Sequence, residues 1–116
     1  MLDRKIETPE LARLVKAHFE DMVKYVVDVE RNLLAVGGEM HVDAEQALLE
    51  HGSRQADLWG ANYYPGRGRD GCIEYTSLIN IRPAAGNRGM EIQDPALRAK
   101  VREITFALLG KGEPLA

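Results

Sequence analysis

What this chain of 116 residues has little of narrows the field before any motif does. It carries one cysteine, Cys72, so an intramolecular disulfide cannot form and CxxC chemistry is excluded. A lone thiol suits a reducing compartment, and a cytoplasmic location is the expectation. No stretch approaches the roughly 20 apolar residues that a membrane-spanning helix needs. The opening segment Met1–Glu7 has no apolar signal core, so a soluble protein without a membrane partner is expected. A strong excess of one charge is also missing: the net charge is −3, with no footprint of general nucleic-acid binding. Aromatics make up only 6% of the chain, and Trp59, Tyr63 and Tyr75 read as core or rim side chains rather than a base-stacking platform. Disorder is not indicated, because 45% hydrophobic and 28% charged residues match an ordinary folded chain.

What is there is a rhythm that switches between helical and strand periods. The length suits one domain over residues 1–116. Thr8-Pro9-Glu10 reads as a helix start, with Thr8 as N-cap and proline in the first turn. Leu11, Leu14, Val15, Phe19 and Met22 then recur at helical spacing, which predicts a helix from Pro9 to about Met22. From Val23 the period becomes two, the mark of a strand, and Arg31-Asn32 reads as a two-residue turn. A second strand is expected from Leu33 to His41, with a bulge at Gly37-Gly38. Asp43, with Gln46 three residues on, predicts a capped short helix that stops at Gly52. Leu58–Tyr64 is a third strand and Cys72–Arg82 a fourth. Asp94-Pro95 opens a last helix carried by Leu97, Val101, Ile104 and Leu108. The fold class is therefore α+β: a four-stranded antiparallel sheet with three helices in the order α-β-β-α-β-β-α, the helices covering one face.

Alternation sorts the strand residues by face. Glu74, Asn80 and Arg82 fall on one side of the fourth strand, Gly60 and Asn62 on one side of the third. On the second, Ala35, Gly37, Glu39 and His41 fall together. If the faces coincide, Glu39, His41, Asn62, Glu74, Asn80 and Arg82 converge on an open sheet surface. Ala35, Gly37 and Gly60 then leave room for a ligand. The plain alternative is a solvated sheet face, and a one-residue slip at Gly37-Gly38 would turn Glu39 and His41 away.

Further motifs carry less. Glu39-x-His41-x-Asp43 has metal-ligand spacing but supplies at most three ligands, and Asp43 is better used as a helix cap, so no metal and no cofactor is assigned. Gly66-Arg67-Gly68-Arg69-Asp70-Gly71 matches GxGxxG literally. A strand rather than a helix follows it, so it reads as a hairpin loop. The segment from Asn80 to Gly89 places Arg82, Asn87 and Arg88 just before the last helix, where an anion could be held. Against that stands a loop tied by Arg82 or Arg88 to Glu91 or Asp94. Cys72 has no adjacent base or helix start to make it a nucleophile. His18 and His51 lie on or beside helices and receive no role.

Several segments together carry a resemblance: Val27-Asp28-Val29-Glu30, Gly37-Gly38-Glu39-Met40-His41, Asp57-Leu58-Trp59-Gly60-Ala61-Asn62, and Asn80-Ile81-Arg82-Pro83 through Asp94-Pro95. On these the chain resembles a family of short prokaryotic proteins known only as a domain of unknown function. The resemblance implies a small stand-alone protein and supplies no activity or catalytic residue. The residues themselves lead to a small domain binding a polar or anionic ligand on its sheet face. Two other expectations stand beside it. One is a hydrolase-like enzyme using His41 with Glu39 or Glu74; the other is an interaction module or homodimer built on that face.

Overall fold

Strand β1 (Val23–Asp28) is the element on which the rest is laid, because almost every one of its residues is buried, on both faces. The computed structural model describes residues 1–115. β1 pairs antiparallel with β2 (Leu33–Val36) on one side and β3 (Leu58–Tyr63) on the other, and β3 carries the short β4 (Ile73–Glu74), giving the order β2-β1-β3-β4. Helices α1 (Thr8–His18), α2 (His41–Glu50) and α3 (Pro95–Leu108) complete the expected α-β-β-α-β-β-α order.

The helices do not share one face, which corrects the expectation of an open sheet. Val23, Tyr25, Val27, Leu34, Trp59, Ala61 and Tyr63 point into a core with Leu11 and Val15 of α1 and Val101, Ile104 and Leu108 of α3. Val26, Leu33, Ala35 and Leu58 point the other way, into a second core under Ala44 and Leu48 of α2. Continuous rather than alternating hydrophobicity along Tyr25-Val26-Val27 is what a strand covered on both sides requires. A buried bond ties the larger layer together. Thr105 Oγ1 donates its only proton to the Val101 carbonyl at 2.7 Å, so the Tyr25 hydroxyl, 2.7 Å from that oxygen, is the donor to it.

Several boundaries differ from the sequence reading. Glu7, not Thr8, precedes the first helical residue, and α1 ends at His18 because Glu20 adopts a left-handed φ of 66°. The β1–β2 connection uses residues 29–32, closed by Asn32 at φ 57°. The buried Asp28 carboxylate holds this turn, accepting the Glu30 and Arg31 N–H groups and, at 2.6 Å, the Ser53 hydroxyl. β2 stops at Val36 because Gly37 and Gly38 take φ of 108° and 88°, turning the chain off the sheet instead of bulging it. Met40 is consequently the N-cap of α2, and Asp43 serves from the third helical position by accepting the Met40 N–H at 3.2 Å.

The largest departure is the fourth strand. After Ile73–Glu74 the chain leaves the ladder: the Ser77 hydroxyl accepts the Ile79 N–H and starts a 3₁₀ turn over Leu78–Asn80, followed by another over Pro83–Ala85. The strand parity assumed for Cys72–Arg82 fails at that turn. Helix α3 begins as expected, with Asp94 accepting the Ala96 N–H at 2.9 Å and Pro95 in the first turn.

Candidate functional site

Register brings three polar side chains into one row. Lys24 of β1 lies opposite Asn62 of β3, and Asn62 lies opposite Glu74 of β4, so all three stand on the α2 face of the sheet. The second core fills that face farther along the strands, and α2 starts only at His41. Between the start of α2 and the segment Thr76–Ile79 a cleft of about 340 Å³ therefore stays open above the row. His41, Asn62 and Glu74 line it, with Lys24 at its side. Its remaining walls are Met40, Val42, Leu78, Ile79 and Met90 beside Thr76 and Ser77.

Asn62 lies at the centre and is 7% exposed. Its Nδ2 donates to Glu74 Oε1 at 2.7 Å, and because a carboxylate only accepts, this bond also fixes which way the amide is turned. The other amide atom, Oδ1, is buried and has no partner among the described residues. Tyr64 donates to the same Glu74 oxygen at 3.4 Å; burial, and then the Glu74 charge, push its phenol pKa up and keep the proton in place.

His41 bonds the Ala61 carbonyl through Nε2 at 2.8 Å, and its ring lies beside the Asn62 side chain. Burial lowers its pKa from the ordinary 6.5, against the opposing pull of that carbonyl, so the ring is neutral at pH 7. A carbonyl can only accept, so the proton sits on Nε2 and Nδ1 is left as an acceptor. Among the described residues no carboxylate bonds this imidazole: Glu74 is taken up by Asn62 and Tyr64.

The remaining expected site residues are placed elsewhere. Glu39 is exposed and faces His18 of α1 at 3.9 Å. Asn80 is fully buried, and its amide bonds Gly60 twice, accepting the Gly60 N–H at 2.8 Å and donating to the Gly60 carbonyl at 2.9 Å. Arg82 donates to the Leu58 and Ala56 carbonyls, and its guanidinium lies 4.5 Å from the Trp59 ring centre. Burial lowers the Arg82 pKa below its usual value. Asn87 donates to the carbonyls of Asn80, Gly89 and Glu91 and accepts the Gln93 N–H, so it ties the following loop into shape. Arg88 is exposed. Neither arginine pairs with Glu91 or Asp94; Arg98 pairs with Glu91 at 3.7 Å, while Asp94 caps α3.

These contacts share a cause. Beyond β4 the outer edge of β3 still has backbone groups to satisfy at Leu58 and Gly60. Side chains of Asn80 and Arg82 supply the partners that a longer fourth strand would have supplied. The room expected above Gly60 is likewise occupied, since a Cβ there would lie 2.7 Å from that of Ser77. Ala35 is covered by the second core, and Gly37 faces Leu14.

The expected metal spacing does not form. Glu39 lies on the loop before α2, His41 begins the helix, and Asp43 bonds its N-cap. Among the described residues no group of three His, Cys, Asp or Glu side chains converges as a metal site. Cys72 is buried, and burial raises its thiol pKa. The GxGxxG stretch is the β3–β4 hairpin loop, closed by the Tyr64 N–H on the Cys72 carbonyl at 2.7 Å.

Sequence reasoning missed the apolar rim. Met40, Val42, Leu78 and Met90 are exposed, Leu78 to 66%. A hint was present in each, a large apolar residue standing where the local pattern is loop or helix start, with no stripe to join.

The fold and cleft together define a small mixed α+β protein whose sheet is sandwiched between helices, with one polar-floored opening beside α2. The chain belongs to the family described as a protein of unknown function (DUF5674), whose model matches residues 1–108. No curated protein and no solved structure matches it. No helix among the described residues is long and apolar enough to cross a membrane.

Proposed function

We propose that this protein binds a small polar-headed ligand in the cleft between the start of α2 and Thr76–Ile79. The observation that carries the reading is the unpartnered, buried Asn62 Oδ1 at the floor of a cleft rimmed by apolar side chains. A buried acceptor without a partner costs about 1–3 kcal/mol, and a ligand donor recovers that cost on binding. A volume near 340 Å³ sits at the lower end of small-molecule sites. Of the residues expected to form the site, His41, Asn62 and Glu74 support this cleft. Asn80, Arg82 and Asn87 support its walls, and Glu39 and Arg88 lie outside it. A cytoplasmic setting suits the unpaired Cys72, and a prokaryotic source rests on the resemblance alone.

A hydrolytic use of His41 has less support, since a general base of that kind is oriented by a carboxylate and His41 bonds a carbonyl instead. The exposed rim favours a second reading, a contact surface for another copy of the chain. A fragment screen followed by amide chemical shifts separates them. Hits are expected to move Thr76, Ser77 and the Asn62 side-chain amide, and Val42→Ser, at an exposed position, to weaken them. A screen in which no hit centres on these residues overturns the ligand reading. A concentration-dependent dimer in sedimentation, abolished by Leu78→Glu, would favour the contact surface instead.

A further inference from the structure

The amide, carboxylate and imidazole of the cleft leave acceptors unengaged, while the hydroxyls of Thr76 and Ser77 in its wall can donate as well as accept. Asn62 Oδ1 is an acceptor, buried and unpartnered. Glu74 uses Oε1 for both Asn62 and Tyr64, leaving its other carboxylate oxygen to accept. The neutral His41, with its proton on Nε2 toward Ala61, offers a lone pair at Nδ1. Among the described residues Lys24 is the one Lys or Arg on the cleft wall, and its ammonium lies 5.2 Å over the Phe19 ring. Negative charge, by contrast, is bonded directly to the floor, 2.7 Å from Asn62 Nδ2. Arg82, which the sequence offered for holding an anion, spends donors on the Leu58 and Ala56 carbonyls.

We infer that the cleft takes a cationic nitrogen head with several N–H donors, such as a primary ammonium, carried on a short apolar body that lies against Met40, Val42, Leu78 and Met90. The inference rests on the ligand-binding reading above and names its class. Acceptors on Asn62, Glu74 and His41 suit a head with several N–H donors, and an anion would meet the Glu74 carboxylate. Charge-assisted bonds of this kind are the stronger ones, so the head and not the body sets the preference.

The test compares three probes that share a body: hexylammonium, hexan-1-ol and hexanoate, titrated into the full chain at neutral pH and followed by amide chemical shifts. Hexylammonium is expected to bind about tenfold more tightly than hexanoate, with the alcohol between them. Glu74→Gln keeps an oxygen for Asn62 at an exposed position, and is expected to shrink the difference to about twofold or less. Equal binding of the three probes, or a preference for hexanoate, overturns the inference and leaves the cleft as a binding site. If none of them moves Thr76, Ser77 or the Asn62 side-chain signals, the binding reading falls with it.

Discussion

The side-chain amide of Asn80 pairs with the backbone of Gly60 as a strand residue would, accepting its N–H at 2.8 Å and donating to its carbonyl at 2.9 Å. Asn80 Nδ2 also reaches the Met90 carbonyl at 3.1 Å. One fully buried side chain thus closes the outer edge of β3 and anchors the segment that walls the cleft.

Asn80→Ala should therefore cost far more than a surface change. It leaves both Gly60 backbone groups unpaired in a dry site, and a loss of about 2–4 kcal/mol is expected. Asn80→Asp keeps an acceptor for the N–H but sets a carboxylate against the Gly60 carbonyl, and should cost at least as much. Urea denaturation checks both; a loss comparable to an exposed substitution would show that the pairing is not a stabilising one.

Gly60→Ala is expected to destabilise by about 1–3 kcal/mol, because the added methyl meets packed atoms rather than space. The Ser77 Cβ would stand 2.7 Å away and its Oγ 2.8 Å. Removing that obstacle in the Gly60→Ala, Ser77→Gly double variant should cost less than the two single changes summed. Strict additivity would mean that the two positions do not touch.

His41 makes stability depend on pH with a definite sign. Its folded pKa is depressed below the unfolded 6.5 by burial, so between the two values the unfolded chain binds more protons. Its neutral form is favoured without penalty above 6.5, and stability falls as pH drops below that value toward the folded pKa. Denaturation midpoints measured from about pH 7.5 to about pH 5 should decline more in the wild type than in His41→Gln. An imidazole titrating at or above 6.5 by NMR would contradict the burial argument.

Arg82→Lys tests the guanidinium on the β3 edge. An ammonium cannot reach both the Leu58 and Ala56 carbonyls while lying flat on Trp59, and a loss of about 1–2 kcal/mol is expected. Trp59 is the only tryptophan, so its fluorescence should change with the substitution. An unchanged emission spectrum together with unchanged stability would remove Arg82 from the edge.

Much of this fold was legible from residue patterns. The Leu11 and Val15 stripe, the cap and proline at Asp94-Pro95, and the punctuation at Gly66–Gly71 act within a few residues of themselves. Boundaries failed where a local signal had two outlets. Gly37-Gly38 suits a bulge or an exit, and the exit won because it starts α2 at His41 and lays it over Ala35. The alternation from Cys72 to Arg82 failed for a different reason. Its polar residues are partners for the edge of β3, and that need is invisible until β3 is in place.

The site divides along the same line. Asn62 and Glu74 belong together through strand pairing, and their face was readable; His41 joins them by a helix start rather than by the strand that alternation implied. The apolar rim was not readable at all, because Met40, Val42, Leu78 and Met90 come from separate segments that only packing assembles.

By itself the sequence determined the class of fold, the order of its elements, the absence of a disulfide and the absence of a long apolar span, since these follow from composition and short-range periodicity. Only the tertiary structure decided which face of the sheet stays open, which polar side chains serve the backbone, and which acceptor is left without a donor. Those outcomes depend on distances between residues far apart in the chain, such as the twenty positions from Gly60 to Asn80, and hydrogen-bond satisfaction is settled only when both partners are in place.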